Sequence, residues 1–175
     1  MSKSEVNVMC DLETLGTRPG CVILSIAAVP FCINETIHSF YERIDKHSYP
    51  TGFHVDPATL RWWELQSEEA RTEAFSGIRH INNVLEDFGR WCKALPGEVL
   101  LWGNGANFDN VLLAEAHAKL SLTAPWKFYN DRCYRTLKNL YPHIAYIKPK
   151  VAHNALSDAE AQAFHAETIL NSLRR

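Results

Sequence analysis

Apolar and polar positions follow two rhythms along the chain. Residues 6–11 (VNVMCD) form a short apolar run that ends on an acid, and residues 21–31 (CVILSIAAVPF) are almost continuously apolar and rich in β-branched side chains. Both have the character of buried strands. Gly16, Pro19 and Gly20 stand between them, so the connection is a turn and the pair an antiparallel hairpin. Residues 36–44 alternate and predict a third, edge-like strand. From Asp56 the rhythm becomes helical. Asp56 is an N-cap with Pro57 at the first helical position, and residues 58–66 carry Leu60, Trp63 and Leu65. Ser67 followed by Glu68 and Glu69 starts a second short helix.

Ile78, Ile81, Leu85, Phe88, Trp91, Cys92 and Leu95 recur at intervals of three and four up to Pro96-Gly97, an amphipathic helix with a clear stop. Residues 98–102 (EVLLW) predict a fourth strand that runs into Gly103-Asn104-Gly105, followed by a helix over 111–120. A further helix spans 132–140 and ends before Pro142, with room for a fifth strand near 129–133. The last helix, 157–173, is expected to bury Ala161, Phe164, Thr168 and Ile169. The order is β-β-β-α-α-α-β-α-α-α, an α/β chain without internal repeat or linker.

At 175 residues the chain has the length of one domain, and 46% hydrophobic with 22% charged residues excludes a disordered or fibrous protein. Eighteen Lys and Arg against twenty Asp and Glu leave a net charge of -2, so no broad basic surface exists to hold long duplex nucleic acid. Any such contact is local. Cys10, Cys21, Cys32, Cys92 and Cys133 are odd in number and contain no CxxC pair, which disfavours a disulfide framework and a zinc ribbon; a reducing cytoplasm fits best. The first residues lack the apolar core of a signal peptide, and no segment has the 18 to 20 or so uncharged apolar residues that span a bilayer, so no membrane partner is expected.

Asp11-Leu12-Glu13 closes the first strand. Residues two apart in a strand project to one side, so both carboxylates face one point. Two carboxylates so close repel unless a divalent cation or a shared proton intervenes. Alone, such a pair is more often a solvated strand end, since acidic residues are common in turns. Asp109 follows the fourth strand, and Asp158 opens the last helix. Each by itself is ordinarily a cap or a partner of the helix dipole. Together the four acids can converge on one sheet edge and hold two Mg²⁺ or Mn²⁺ ions for phosphoryl chemistry. His153, five residues before Asp158, can reach the same point and take a proton from an attacking water, although a lone His is more often structural.

Asp11-Leu12-Glu13-Thr14, Asn107-Phe108-Asp109 and His153-Asn154-Ala155-Leu156-Ser157-Asp158 resemble the three motifs of the DEDDh 3′-to-5′ exonucleases, which include proofreading subunits of bacterial replicases, oligoribonuclease and ribonuclease T. The motifs occur in the family's order over residues 11–158. Residues 54–66 (HVDPATLRWWELQ), 101–110 (LWGNGANFDN) and 125–137 are similar to the small phage and bacterial branch. The resemblance implies a ribonuclease H-like mixed sheet of about five strands, the first three antiparallel, flanked by helices, and commonly a homodimer. It implies that Asp11, Glu13 and Asp158 hold a first metal ion, that Asp11 and Asp109 serve a second, and that His153 is the general base. It also implies contacts from Thr14, Leu15, Gly16 and Asn107 to the 3′ nucleotide.

Trp62 and Trp63 are adjacent on a helix and must point differently, so Trp63 is assigned to the core, while Trp62 is open between the core and stacking on a terminal base. Phe108 is either a wedge under a base or a buried turn residue. Arg132, Arg135, Lys148 and Lys150 are phosphate contacts or a solvated face. The expected activity is metal-dependent 3′-to-5′ hydrolysis of a single-stranded 3′ end releasing nucleoside 5′-monophosphates, with DNA favoured and trimming of RNA overhangs as the alternative. The rivals are a non-catalytic module that binds nucleic-acid ends and a structural protein retaining the fold.

Overall fold

The computed structural model describes residues 4–33, 37–149 and 153–173. A five-stranded mixed sheet has the order β3-β2-β1-β4-β5. β1 (Glu5–Thr14), β2 (Ile23–Phe31) and β3 (Phe40–Arg43) run antiparallel in succession, while β4 (Glu98–Gly103) and β5 (Asp131–Cys133) run parallel to β1 on its other side. Helices α1 (Pro57–Glu64), α2 (Glu68–Phe75) and α3 (Ile81–Ala94) lie between β3 and β4, α4 (Asp109–Lys119) between β4 and β5, and α5 (Tyr134–Leu140) and α6 (Ala155–Ser172) follow β5.

The period of two along β1 sorts its side chains between two cores. Val6, Val8, Cys10 and Leu12 enter the larger one, with Ile81, Leu85 and Phe88 of α3 and Leu112 and Leu113 of α4. Met9 points the other way, against Ala27, Trp102, Tyr134 and the stripe Ala155, Ala159, Ala163 and Ala166 of α6. Asp11 and Glu13 continue the Met9 side, which directs both acids toward α6. Small residues along that stripe let α6 lie close on the sheet.

The structure adjusts several element boundaries. β1 extends to Thr14, so the Asp11 and Glu13 pair lies within paired strand, opposite Ala27 and Ser25, and the pairing shifts register between Glu13 and Thr14. β3 is shorter than expected, and Thr36, its expected start, falls outside the described residues. Ile78 is 90% exposed because α3 begins after His80, whose ring nitrogen accepts the Asn82 N–H. Residues 131–133 pair with β4 as β5, so α5 begins at Tyr134 rather than at Arg132. In α6 the buried stripe is narrower than the apolar count suggests. Phe164 is 60% exposed and Thr168 is exposed, and of the four residues expected in the core only Ile169 is fully buried. The alanine stripe already fills the contact with the sheet, which leaves Phe164 outside it.

Candidate active site

The carboxyl ends of β1 and β4 and the amino ends of α4, α5 and α6 frame a cleft of about 600 Å³. Asp11, Glu13, Thr14, Asp109, His153, Asp158 and Gln162 all line it. Asp11 and Glu13 arrive by strand alternation, and Asp158 sits in the first turn of α6, whose N-cap Asn154 accepts the Ser157 N–H at 2.9 Å. One carboxylate oxygen from each of Asp11, Glu13 and Asp158 lies within 4.8 Å of the others. Asp109 starts α4 and is 3% exposed; its Oδ1 accepts the Leu12 N–H at 3.3 Å, which ties it to the strand that carries Asp11 and Glu13. It is not part of the three-oxygen group.

Burial and mutual repulsion hold these acids toward the protonated form. Burial first, then the charges of Asp158 and Asp109, pushes Glu13 up to about 8. Asp109 is pushed up to about 7 by burial, against backbone N–H donors and the Arg135 guanidinium that favour its charge. Asp11 is raised well above the carboxylate range by burial and by Asp109 and Glu13, and its hydrogen bond from Gln162 opposes that rise. Asp158 is raised by burial and relieved by the His153 N–H, which donates to its Oδ2 at 2.9 Å. An all-oxygen set of clustered acids, each costly to ionise unaided, fits a hard divalent cation.

His153 has a left-handed backbone, φ +61°, which turns its N–H onto Asp158. Its ring rests edge-to-face on Trp62, with centroids 4.8 Å apart. The two tryptophans divide as their adjacency requires. Trp63 is 2% exposed and its indole donates to the Thr14 carbonyl at 2.9 Å, tying α1 to the end of β1. Trp62 is 41% exposed and forms a wall of the cleft.

A family model described as the 3′-5′ exoribonuclease Rv2179c-like domain matches residues 6–170. The chain belongs to this family. Its five-stranded mixed sheet is the ribonuclease H-like sheet expected from its motifs. No curated protein matches it. Among solved structures, "The structure of exonuclease I suggests how processivity is achieved" aligns with a TM-score of 0.69 at 14% identity, covering 97% of this chain and 41% of the other. E. coli exonuclease I with a 5cy-dA13 oligonucleotide aligns with a TM-score of 0.67 at 13% identity, covering 97% and 41%. The nuclease domain of 3′hExo, a DEDDh family member bound to rAMP, aligns with a TM-score of 0.62 at 13% identity, covering 95% and 92%. The chain thus spans about two-fifths of the exonuclease I chains it matches.

Around the cleft, the other residues assigned to substrate from sequence separate. Phe108 is half-buried and lines the cleft, as does Thr14, whose hydroxyl donates to the Gly16 carbonyl at 2.7 Å. Leu15 and Gly16 do not line it. Leu15 is buried with Val22, Leu24 and Trp63, and the Gly16 carbonyl takes the Thr14 hydroxyl and the Cys21 thiol, because the chain turns back after the register shift. Asn107 is exposed and also off the cleft. Arg132 lies on β5, where its Nη1 donates to the carbonyls of Tyr129 and Asp131; Arg135, in the first turn of α5, lines the cleft instead. Lys148 is exposed and off the cleft, and Lys150 is outside the described residues.

Asp56, Thr59, Asn104 and Gln162 are cleft residues that sequence reading missed. Gln162 carried a signal, being four residues after Asp158 and so on the same helix face. Asp56 was hidden by its role as N-cap of α1, where Oδ1 accepts the Ala58 N–H at 2.9 Å. Among the described residues, no helix is long and apolar enough to cross a membrane.

Proposed function

We propose that the cleft hydrolyses the last phosphodiester at the 3′ end of a single strand and releases a nucleoside 5′-monophosphate. The convergence of Asp11, Glu13 and Asp158 within 4.8 Å, with Asp109 and His153 in the same cleft, carries this reading. In it Asp11, Glu13 and Asp158 hold one divalent ion, Mg²⁺ or Mn²⁺, and Asp11 and Asp109 hold a second. Bound ions supply positive charge that offsets the phosphate and the charge developing in the transition state.

His153 takes a proton from the attacking water; the water oxygen bonds to phosphorus as the bond to the 3′ oxygen breaks, and that oxygen is reprotonated from solvent. The hydrogen bond between His153 N–H and Asp158 keeps the imidazole beside the carboxylates while leaving its ring nitrogens for the proton. Trp62 and Phe108, both lining the cleft, support the terminal base by stacking. For the sugar we propose RNA ahead of the DNA expected from sequence, because the family the chain matches is described as exoribonucleases. The homodimer implied by the family branch belongs to the same proposal and is read by light scattering.

The test is a mixture of 5′-labelled single-stranded RNA and DNA of different colours, incubated with Mn²⁺ or with chelator and resolved on a gel. A metal-dependent ladder shortening from the 3′ end in RNA, absent in Asp11→Ala at unchanged circular dichroism, is the expected result. A faster DNA ladder replaces the sugar assignment. Tight binding without turnover overturns the catalytic reading in favour of an end-binding module.

A further inference from the structure

Arg135 and Lys138 stand three residues apart on α5, on one face of the helix. Both reach Asn104 in the loop after β4: Arg135 Nη2 donates to its carbonyl at 2.6 Å and Lys138 Nζ to its Oδ1 at 3.2 Å. Gly105 follows in the same loop. It holds φ +119°, and a Cβ there would stand 3.4 Å from the guanidinium carbon. Among the described residues Arg135 is the one Lys or Arg lining the cleft, and Lys138 lies beside it, partly buried over the Tyr134 ring.

Of the described Lys and Arg residues, Arg43, Arg79, Arg90, Lys119 and Lys127 have a carboxylate within 4.0 Å and the rest do not; what sets Arg135 and Lys138 apart is that they share Asn104 at the cleft. Among the described residues neither Arg135 nor Lys138 has one at that distance. Two like charges are thus held side by side at the rim of a cleft without a counter-charge in contact. The ammonium of Lys138 is accordingly held below its usual range, by burial and by repulsion from Arg135. A phosphate bridging the pair relieves that repulsion, and a guanidinium can grip it through two parallel N–H donors.

We propose that Arg135 and Lys138 form a binding site for the phosphodiester one nucleotide to the 5′ side of the bond that is cut. The site rests on the exonuclease reading for its direction. The carboxylates of Asp11, Glu13 and Asp158 mark the scissile phosphate, and a 3′-terminal nucleotide has no phosphate beyond it, so a second phosphate in the cleft belongs to the 5′ side. The enzyme therefore works best on strands with at least two phosphodiesters and slows at the final dinucleotide.

The test compares a single-stranded pentanucleotide with the p-nitrophenyl ester of a nucleoside 5′-monophosphate, which has one phosphate only, in wild type, Arg135→Gln, Lys138→Gln and the double variant. Arg135 is exposed and Lys138 partly buried on a short helix, and circular dichroism checks that each variant keeps the fold. Expected is a fall of about tenfold or more in the ratio of kcat/KM for pentanucleotide to that for ester in the double variant. Pentanucleotide binding by fluorescence anisotropy in chelator weakens in parallel. The slope of log affinity against log salt becomes shallower by about 0.7, the value for one phosphate contact to a single strand. An equal fall on both substrates, or none on either, overturns the site. Should wild type cut neither substrate, the catalytic reading fails, and the anisotropy alone decides the phosphate site: weaker binding in the variants sustains it and unchanged binding removes it. Inorganic phosphate, as a competitor, distinguishes capture of free anion from capture of the strand.

Discussion

Gln162 Nε2 donates to Asp11 Oδ1 at 2.8 Å, across a sequence separation of 151 residues. This bond is a direct link from α6 to the acid on which the metal reading depends most. Gln162 is 4% exposed, and among the described residues its Oε1 has no partner. Replacing Gln162 by Leu keeps the volume but frees the Asp11 carboxylate to rotate. Groups that orient metal ligands are worth about 10 to 100-fold in metal affinity or activity. We expect Gln162→Leu to lose activity in that range and to need more Mn²⁺ for half-maximal rate, at unchanged thermal stability. Kinetics indistinguishable from wild type at limiting Mn²⁺ would show that the bond has no positioning role.

Stability without metal should depend on pH in an unusual direction. Glu13 at about 8 and Asp109 at about 7 titrate far above the unfolded values of about 4.3 and 3.9. Between about pH 4 and 8 the native state therefore binds more protons than the unfolded one, and stability falls as pH rises. The contribution is complete below pH 4 and lost above pH 8. In chelator the melting temperature should be lower at pH 8 than at pH 5, and Mn²⁺ should raise it more at pH 8, since a bound ion stabilises the ionised cluster. A scanning fluorimetry series that is flat over this range contradicts the electrostatic account.

The adjacent tryptophans should fail differently. Trp62→Ala removes a wall of the cleft and a stacking surface worth about 1 to 3 kcal/mol per base, so KM for single strands should rise while the fold persists. Trp63→Ala empties a fully buried site and strips the Thr14 carbonyl of its indole donor, with a cost of about 3 to 5 kcal/mol. Urea unfolding together with steady-state kinetics separates the two. Equal destabilisation by both would mean that Trp62 is also core.

Gly103, the last residue of β4, supports Asp109 by having no side chain. A Cβ there would collide with Asn110 Oδ1 and stand 3.1 Å from both Cβ and Oδ2 of Asp109. Gly103→Ala should cost about 1 to 3 kcal/mol through overpacking and should lower kcat by shifting Asp109. Wild-type kcat in the folded variant would show that the loop absorbs the methyl group without moving the acid.

Much of the site was legible because its logic is local. The alternation of β1 sends Leu12 to one core and Asp11 and Glu13 to the other side, and the N-cap pattern at Asn154 places Asp158 in the first turn of a helix. Five acidic and histidine positions in motif order sufficed to anticipate the family and the ribonuclease H-like sheet. Less legible were choices among neighbours that share a local pattern. Arg132 and Arg135 are both basic residues near one helix start, and residue 132 was drawn into β5 only because Trp102 of β4 lay beside it to pair. Leu15 and Gly16 adjoin the first motif, yet the register shift after Glu13 turns them away from the cleft.

The sequence by itself determined the periodicities, the caps and the acids, since each depends on residues within a few positions of one another and on fixed strand and helix geometry. Tertiary structure alone decided which side chains meet across the cleft. Gln162 reaches Asp11 and Trp62 reaches His153 only once α6 has settled its alanine stripe on β1 and β2 and Trp63 has tied α1 to Thr14. Those contacts follow from the packing of distant elements, whose angles and depths depend on the summed shapes of many side chains rather than on any motif.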